Sequence, residues 1–564
     1  MTTRPRRVWR DRVSEATETL TPLLRAPGST AELRPIQSVL LLEAAELGGG
    51  FGSATVGAGK TLIGLLAGEL LLGERTLVLT TGGMKRETED LFRQYRADWP
   101  AQWQGAHYKL LGFSDLSKMP SKGQSLETVF NGLPPTVLVI DECHKLRNVG
   151  KNGSAVANQV AALMAAHPDI RVVALSGTPR KDRLIDYAHI LDWCLKDGSP
   201  LPRGRSDQQD WSDVIDRGDM ARSIKVARQL GLPDTATLEQ IQDRYLDILK
   251  HTPGVVISED QFQGPLSINE IVVYPRGMEV HFQRLRDLYQ RPDGWELSPD
   301  VPDGDEDEER KPDFVTGGTV WACARQMALG FCYLPDPRPP EPYVAARRAY
   351  LGMVRRKIAM GEYYTEFQVR QACERGEIDS STWRAWSEVQ PTFEPRFRPQ
   401  WLSDCGIEAA LEWGDQAPGI IWVDHTAFGR KLAEESGWTY YGAKGLDNRG
   451  NYISNDRAKQ TVIASRPANG TGRNLQAFNR MLFSAIPKSN EQFEQNVGRE
   501  HREGQKRAVT VDVWLGCREH VESVDWILQD AAVCAKTLMQ QKANMVAWGG
   551  KRNFPTGHIF GVGT

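Results

Sequence analysis

The chain has 564 residues, of which 40% are hydrophobic and 25% charged, and its 69 Lys and Arg nearly balance its 72 Asp and Glu. This composition excludes a disordered, collagen-like or low-complexity protein and leaves room for several domain cores. The formal charge of -3 also excludes a polycation that binds nucleic acid over its whole surface, so such binding requires local basic patches.

The N-terminus and the cysteines indicate an intracellular protein. Residues 1–30 begin with a cluster of arginines but lack the apolar core of a secretory signal, so we predict a basic arm; an organellar presequence is the alternative. The eight cysteines form no Cys-x-x-Cys pair and no zinc-like cluster with histidine, which predicts neither disulfides nor structural zinc. Glu69 interrupts the apolar stretch at 62–72, and no other run reaches the length of a membrane helix. We therefore expect a cytoplasmic protein.

Residues 31–197 alternate short apolar runs with helical patterns, which is typical of a parallel sheet covered by helices. The predicted strands are Thr76–Thr80, Tyr108–Leu111, Thr136–Ile140 and Val172–Leu175. Each run is short and apolar, as expected for a strand that is buried on both faces. This segment is therefore predicted to be an α/β domain.

A glycine-rich loop, ATVGAGKT, occupies residues 54–61. Gly57 and Gly59 would let backbone amides surround phosphates, Lys60 would add a cation, and the Thr61 hydroxyl would ligate Mg²⁺. The helix that follows directs its positive end at the same anion. The first position departs from the strict pattern, which has glycine there, and an ordinary loop is the alternative. The apolar helix expected after a phosphate-binding loop follows at once.

A second motif ends the apolar strand TVLVI with two adjacent carboxylates, Asp141 and Glu142. Open α/β sheets bind their ligands at the carboxyl ends of such strands. Asp141 is therefore predicted to hold Mg²⁺, and Glu142 to accept the proton of an attacking water. Two adjacent acids are usually a solvated turn, but the strand before them and the upstream glycine-rich loop favour the functional interpretation.

The remaining chain divides into further segments. Residues 198–270 are predicted to be a helical extension that ends in a strand at 268–274. Residues 271–415 begin a second lobe and contain an acidic solvated loop, for which a nucleic-acid mimic is the alternative, and an Arg- and Trp-rich helical insert. Residues 416–535 form a second α/β unit with strands at 420–423, 462–464, 481–483 and 509–514, and 536–564 form a tail. The tryptophans are predicted to be core residues rather than stacking platforms for bases.

Three more motifs follow in order: SGTP at 176–179, GTGRNLQ at 470–476 and QNVGREHREGQ at 495–505. Together with the first two motifs, this order resembles the superfamily 2 helicases and translocases, and the last two motifs are most similar to the Swi/Snf-like branch. The resemblance implies an α/β fold of two tandem RecA-like parallel-sheet lobes, at 31–197 and 416–535. It also implies ATP and Mg²⁺ as cofactors.

The resemblance assigns residues to the ATP site. Leu-Arg-Pro-Ile-Gln resembles the family's Q motif, so Arg34 and Gln37 would bind the adenine end of ATP. Arg499 and Arg502 would act as arginine fingers from the second lobe, with Gln495 beside them. Surface charge is the alternative for these arginines.

The resemblance also assigns residues to nucleic acid. His144, Ser176 and Thr178 would couple the ATP site to the nucleic-acid groove. Backbone contacts would come from Thr80, Thr81, Gly112, Phe113, Thr471, Gly472 and Arg473. The chain departs from the family pattern after Thr81, where Pro-x-x-Leu is missing, and at Arg473, where leucine is common.

The function implied is an ATP-dependent DNA helicase or translocase that steps along, unwinds or remodels DNA. The compact chain suggests a phage or viral helicase, which would work in the host cytoplasm. One alternative is the motor subunit of a restriction or defence complex, whose partner would supply recognition. The other is a non-catalytic scaffold that binds nucleic acid, which the intact Lys60, Asp141 and Glu142 oppose.

Overall fold

The structure is a computed structural model that describes residues 6–54, 59–81, 84–100, 107–119, 125–149, 154–176, 183–257, 264–288, 291–292, 317–360, 366–394, 396–442, 445–470, 473–487, 489–502 and 504–538. These residues form two α/β lobes, each built on a six-stranded sheet. All strand pairs within the two sheets are parallel. The predicted fold class, two parallel-sheet lobes with helical additions, is confirmed.

The first sheet has the strand order β3-β2-β4-β5-β1-β6. Its strands are β1 (Gly49–Ser53), β2 (Thr76–Thr80), β3 (Tyr108–Gly112), β4 (Val137–Asp141), β5 (Arg171–Ser176) and β6 (Val255–Ile257). Side chains alternate between the two faces of a strand. Leu138 and Ile140 therefore pack in one hydrophobic core, while Val137 and Val139 pack in the core on the opposite face.

Helices cover both faces of the first sheet. They are α1 (Val13–Leu24), α2 (Pro35–Leu47), α3 (Lys60–Leu70), α4 (Lys85–Tyr95), α5 (Phe113–Lys118), α6 (Ala155–Ala166), α7 (Leu184–Leu195), α8 (Arg205–Arg217), α9 (Ser223–Gln229) and α10 (Leu238–His251). The predicted helical extension contributes α8, α9 and α10, and these helices belong to the first lobe. Trp211 of α8 and Tyr245 of α10 are buried in the same core as the sheet, and β6 then pairs with β1.

The N-terminal segment is also part of the first lobe rather than a separate arm. Trp9 is buried, and its indole Nε1 donates a hydrogen bond to the Ile257 carbonyl at 3.0 Å. Arg7 pairs with Glu43 at 2.6 Å, and Arg12 pairs with Glu46 at 2.8 Å. The basic side chains of this segment therefore neutralise carboxylates of α2.

The second half of the chain has strands β7 (Leu266–Val272), β8 (Phe331–Pro335), β9 (Phe397–Trp401), β10 (Ile420–Val423), β11 (Thr439–Tyr441), β12 (Val462–Ser465), β13 (Arg480–Phe483) and β14 (Val509–Leu515). The second sheet has the order β11-β12-β10-β13-β14-β7, so the second lobe begins at β7. The strands β8 and β9 form a separate antiparallel pair.

The helices of the second half are α11 (Glu279–Leu288), α12 (Gly317–Ala328), α13 (Glu341–Ala359), α14 (Glu366–Glu374), α15 (Ser381–Val389), α16 (Cys405–Gln416), α17 (Thr426–Ser436), α18 (Arg466–Asn469), α19 (Asn490–Val497) and α20 (Arg518–Leu538). Trp386 anchors a small core of the insert, while Trp413 and Trp422 are buried in the second lobe, which confirms the core interpretation for these tryptophans. The acidic loop and most of the predicted tail lie outside the described residues. None of the described helices combines the length and apolarity needed to cross a membrane.

Candidate active site

The carboxyl ends of the first-lobe strands meet at one edge of the sheet. Ser53 of β1 is in register with Ser176 of β5, and Thr80 of β2 is in register with Gly112 of β3. Asp141 closes β4 between them, because β4 pairs with both β5 and β2. The motifs predicted from the sequence are therefore brought together where open parallel sheets bind ligands.

Lys60 is the first residue of α3 and lies at this edge. Its Nζ donates a hydrogen bond to the Ala54 carbonyl at 3.1 Å and lies 3.8 Å from Oε1 of Glu142. The lysine thus bridges the end of β1 and the carboxylates after β4. A cation held at the N-terminus of a helix, beside a glycine-rich loop, is what a polyphosphate requires.

Gln37 and Arg34 lie next to the start of α3. The Gln37 side chain donates a hydrogen bond to the Gly59 carbonyl at 3.0 Å and accepts one from the Arg34 amide at 2.8 Å. Gly59 has a φ of +76°, and a Cβ there would lie 2.2 Å from the Gln37 amide nitrogen. Glycine is therefore required, and Gln37 fixes the entry to α3. The adenine contact of Gln37 stays a prediction.

Asp141 and Glu142 are buried and have opposite pKa shifts. Burial and the charge of Glu142 raise the pKa of Asp141 to about 7. Burial alone would raise the pKa of Glu142 too, but the charges of Lys60, His144 and Arg499 lower it overall. Glu142 is therefore ionised at neutral pH, the state that a general base requires.

The backbone at Glu142 suits this role. Its φ is +54°, a left-handed conformation that is uncommon outside glycine and is often found at functional sites. Within the described part of the chain, its Oε2 atom is buried without a hydrogen-bond partner. This oxygen is therefore available to a water molecule or another donor at the site.

Thr61 and Asp141 fit the predicted Mg²⁺ site by their chemistry. A hydroxyl and a carboxylate are oxygen donors of the kind that Mg²⁺ binds. Burial, followed by the charge of Glu142, raises the pKa of Asp141, and a cation beside this carboxyl would favour its ionised form. Thr61 is half-buried at the second position of α3. A divalent cation is thus compatible with these residues.

His144 connects the two lobes. Its Nδ1 lies 3.0 Å from the Ser176 hydroxyl at the end of β5. Its Nε2 lies 2.8 Å from Oε1 of Glu491, which belongs to α19 of the second lobe. Both neighbours are buried, so this contact is shielded from solvent. The predicted coupling residues His144 and Ser176 are therefore in contact.

Gln495 lies in α19, and Arg499 lies just beyond the end of this helix. The Gln495 amide donates a hydrogen bond to Oε1 of Glu491 at 3.1 Å. Arg499 is buried just beyond the end of α19, and its charge lowers the pKa of Glu142. A lysine and two carboxylates of one lobe thus face an arginine of the other, which is the charge pattern needed to hydrolyse a nucleoside triphosphate.

Arg502 has different neighbours. Burial raises the pKa of Tyr95, and the charges of Arg34 and Arg502 partly oppose this shift. Arg502 is half-buried, and its charge acts on Tyr95 together with that of Arg34, a residue of the predicted adenine end. The two predicted arginine fingers consequently approach the site at different places.

The predicted nucleic-acid contacts of the first lobe are largely enclosed. Thr80 is fully buried and Thr81 half-buried, and among the described residues neither hydroxyl has a hydrogen-bond partner. The Gly112 amide already donates to Asp115 at 3.1 Å, and Phe113 packs against the first-lobe core. Local packing therefore encloses Thr80 and Phe113, and Asp115 already accepts from the Gly112 amide.

Arg473 is buried as well. Its guanidinium carbon lies 4.5 Å from the ring centre of Tyr452, and the guanidinium carbon of Arg86 from α4 lies 5.7 Å from the same ring. Arg473 therefore contributes to a contact between the lobes. The predicted site residues Gly57, Thr178, Thr471 and Gly472 lie outside the described residues.

A buried ion cluster behind α19 was not predicted. Arg466 donates hydrogen bonds to both oxygens of Asp424 at 2.5 and 2.7 Å, and also contacts Gln492 of α19 at 3.3 Å. Burial alone would raise the pKa of Asp424, but Arg466 and Arg325 lower it to about 2. Asp424 directly follows an apolar strand, as Asp141 does, and this position was the available signal.

Glu491 is the other functional residue that the motifs did not indicate. It stands four residues before Gln495, and residues at this spacing share one helix face. That spacing was the only signal in the sequence.

No protein-family model matches the chain, and a search of curated proteins finds no match. The assignment of the site therefore rests on its own geometry.

Proposed function

We propose that this protein is an ATP-dependent DNA helicase or translocase of superfamily 2, similar to the Swi/Snf-like branch. The observation that carries the proposal is the cleft between the lobes, where Lys60 and Glu142 face Arg499. Residues that are far apart in the sequence of the first lobe, and a residue of the second lobe, act on one another here, as the groups of an active site do. The ordered motifs described above support the same conclusion.

In this proposal Lys60 binds the β- and γ-phosphates, and Thr61 and Asp141 hold Mg²⁺, which offsets phosphate charge. Glu142 accepts a proton from the attacking water, and Arg499 stabilises the charge that develops on the γ-phosphoryl group. Because these groups come from two lobes, turnover requires the lobes to be close together. Loss of the phosphate then weakens the attraction between the lobes, and repeated closing and opening moves a bound strand.

A cavity of about 300 Å³ supports a nucleic-acid partner. It lies beside β3 and is lined by Lys85, Lys109 and Lys118, with Asp115 as the one acidic neighbour. The elements α4 and α5, which carry two of these lysines, begin after the carboxyl ends of β2 and β3. Lysines bind phosphates without reading sequence. We propose that these side chains, rather than the Thr80 hydroxyl, contact the nucleic-acid backbone on the first lobe. We also propose that the protein acts in the cytoplasm.

The test is ATP hydrolysis with Mg²⁺, measured without nucleic acid and with single-stranded, duplex and branched DNA. We expect stimulation by at least one DNA form. Glu142→Gln should lower kcat by about 10²–10⁴-fold while ATP still binds, whereas Glu434→Gln, an exposed carboxylate on α17, should leave kcat unchanged. Hydrolysis that is indifferent to every DNA form would contradict the motor. ATP binding without hydrolysis in the wild type would favour the scaffold.

A further inference from the structure

Glu491 is a buried carboxylate that faces the other lobe. It is the second residue of α19, whose first turn is capped by the Ser489 hydroxyl through a 3.3 Å bond from the Gln492 amide. An acid in the first turn suits the helix dipole, but that effect needs no burial. Glu491 is only 8% exposed, and its charge raises the pKa of Glu142. A second carboxylate in this position costs free energy unless specific partners compensate it.

Two nitrogen atoms lie close to one oxygen of Glu491. His144 Nε2 lies 2.8 Å from Oε1, and the Gln495 side-chain amide donates to the same atom at 3.1 Å. Gln495 is one turn further along α19 and therefore holds the carboxylate in the direction of His144. Glu491 thus lies between Gln495 of the last motif and His144, which stands two residues after Glu142 of the second motif.

The His144 ring has a neighbour at each nitrogen. Nε2 lies beside the Glu491 carboxylate. Nδ1 lies 3.0 Å from the Ser176 hydroxyl. Nδ1 also lies 3.4 Å from Oε2 of Glu142, the predicted general base. The orientation of the ring therefore affects a group that would take part in the reaction.

Arg499 is tied to the same arrangement. It follows Gln495 by four residues, and its amide donates to the Asn496 carbonyl at 3.1 Å, so its position depends on the end of α19. A contact at the start of α19 consequently affects where this arginine stands relative to Glu142.

We propose that Glu491 is a positioning residue for ATP hydrolysis. Through its contact with Nε2 it holds the His144 ring against Ser176 and Glu142, and it anchors α19 so that Arg499 stays at the site. This inference rests on the proposed function. Loss of the contact should reduce turnover and its stimulation by DNA, while the phosphate-binding groups of the first lobe remain intact.

The kinetic test compares Glu491→Ala, Glu491→Gln and the exposed control Glu434→Gln in the full chain. We expect Glu491→Ala to lower the DNA-stimulated kcat by about 5–150-fold, the range of a typical coupling energy, with KM for ATP within about threefold. Glutamine keeps the length of the side chain and an oxygen that accepts from Gln495, so Glu491→Gln should recover part of the loss. Adding His144→Ala to Glu491→Ala should cost little more, because both changes remove one interaction.

A second measurement does not depend on activity. The ring nitrogen shifts of ¹⁵N-labelled histidines report the surroundings of each imidazole, and His144→Gln identifies the signal of His144. We expect this signal to move in Glu491→Ala, because the carboxylate beside Nε2 is lost. An unchanged His144 signal in that variant, or losses from Glu491→Ala and His144→Ala that multiply independently, would overturn the positioning role. If the His144 signal moves in Glu491→Ala but the wild type shows no hydrolysis, the proposed function fails while the contact itself stands.

Discussion

Arg499 and Arg502 stand three residues apart in the sequence but have different neighbours. Arg499 is buried and acts on Glu142, whereas Arg502 is half-buried and acts on Tyr95 near Arg34. A helix that continued through both residues would place them on one face. However, α19 ends at Val497, so the chain separates them. The two arginines should therefore contribute to different steps.

We expect Arg499→Ala to lower kcat by about 10³-fold, because this charge faces the predicted base and the γ-phosphoryl group. KM for ATP should change by less than about fivefold. Arg502→Ala should have a smaller effect on kcat and a larger effect on KM, since Arg502 lies toward the predicted adenine end. Steady-state kinetics of both variants, with Arg203→Ala as an exposed control, provide the measurement. A larger loss of kcat in Arg502→Ala than in Arg499→Ala would reverse the assignment.

The chemistry of the first lobe could be predicted from the sequence because it depends on local patterns. A glycine-rich loop before a helix, and two acids after an apolar strand, place Lys60 and Glu142 at one sheet edge in any parallel α/β fold. Glu491 could not be predicted in this way. An acid in the first turn of a polar helix is most often an exposed charge that suits the helix dipole, and only the packing of the two lobes shows its contact with His144.

Whole helices and strands could likewise be predicted only where a local sequence pattern defines them. The predicted strands at 76–80 and 420–423 agree with the structure residue for residue, because each is a compact apolar run. The strand β6 has only three residues and could not be distinguished from a loop. The helices α8–α10 were predicted as a separate extension, since their amphipathic pattern does not reveal which sheet they cover.

The N-terminal segment gives a prediction about stability. Arg7 makes two hydrogen bonds of 2.6 Å to Glu43, whose side chain is fully buried. Arg7→Ala leaves this carboxylate with only the Gly254 amide at 2.7 Å and the more distant Arg12 at 3.6 Å, and should lower the free energy of unfolding by about 3 kcal/mol. Arg6→Ala removes only the exposed pair with Asp247 and should cost less than about 1 kcal/mol. Thermal denaturation of the two variants distinguishes them.

The same pair of variants tests the predicted basic arm. Because Arg7 is occupied by Glu43, its loss should not alter the salt dependence of DNA binding in a folded sample. If Arg7→Ala reduces the salt dependence of DNA binding at a temperature where the protein is folded, the N-terminal segment contacts nucleic acid after all.

For the lysine-lined cavity beside β3, unlike Arg7, we expect substitutions to change the salt dependence of DNA binding. Lys109→Gln and Lys118→Gln should each weaken DNA binding similarly for all sequences and reduce the slope of log K against log salt by about one. Both residues line the cavity. Lys196→Gln, an exposed lysine after α7, serves as the control. If the slope does not change in the variant that carries both lysine substitutions, the nucleic acid binds elsewhere on the first lobe.

At the level of the two lobes, the contacts that stabilise each lobe differ from the contacts between the lobes. Each sheet has its own cores on both faces, so neither lobe needs the other to bury its strands. The contacts between the lobes described above are polar or aromatic: His144 with Glu491, and Arg86 with Tyr452. Interfaces of this kind exchange more readily than a packed core. The cleft can therefore open and close without unfolding either lobe.

Each lobe also buries a histidine away from the cleft, and these two residues predict how stability depends on pH. Burial lowers the pKa of His189 in α7 to about 4, with a smaller contribution from Arg205. Burial lowers the pKa of His520 in α20 to about 3, with Arg325 acting in the same direction and Asp424 opposing it. The ordinary value for an unfolded chain is about 6.5. Both imidazoles are therefore neutral in the folded protein across the physiological range.

The sign of the effect follows from which state binds protons. Below about pH 6.5 the unfolded chain takes up a proton at each histidine, while the folded protein does so only near pH 4 or 3. The stability from these neutral side chains is complete above about pH 6.5 and is lost as the pH falls toward the folded pKa. From pH 7 to pH 5, each histidine should reduce the free energy of unfolding by about 2 kcal/mol.

Calorimetric melting between pH 7 and pH 5 measures this loss, and variants assign it to each lobe. Glutamine at position 189 can still donate to the Leu146 carbonyl, as His189 does at 2.9 Å, but it cannot titrate. His189→Gln should therefore reduce the pH dependence of the unfolding transition of the first lobe. His520→Gln should reduce the pH dependence of the unfolding transition of the second lobe. Each variant should leave the other transition unchanged, because the two residues lie in separate lobes. Equal flattening of one shared transition by both variants would mean that the lobes unfold together, contrary to the independence of their cores.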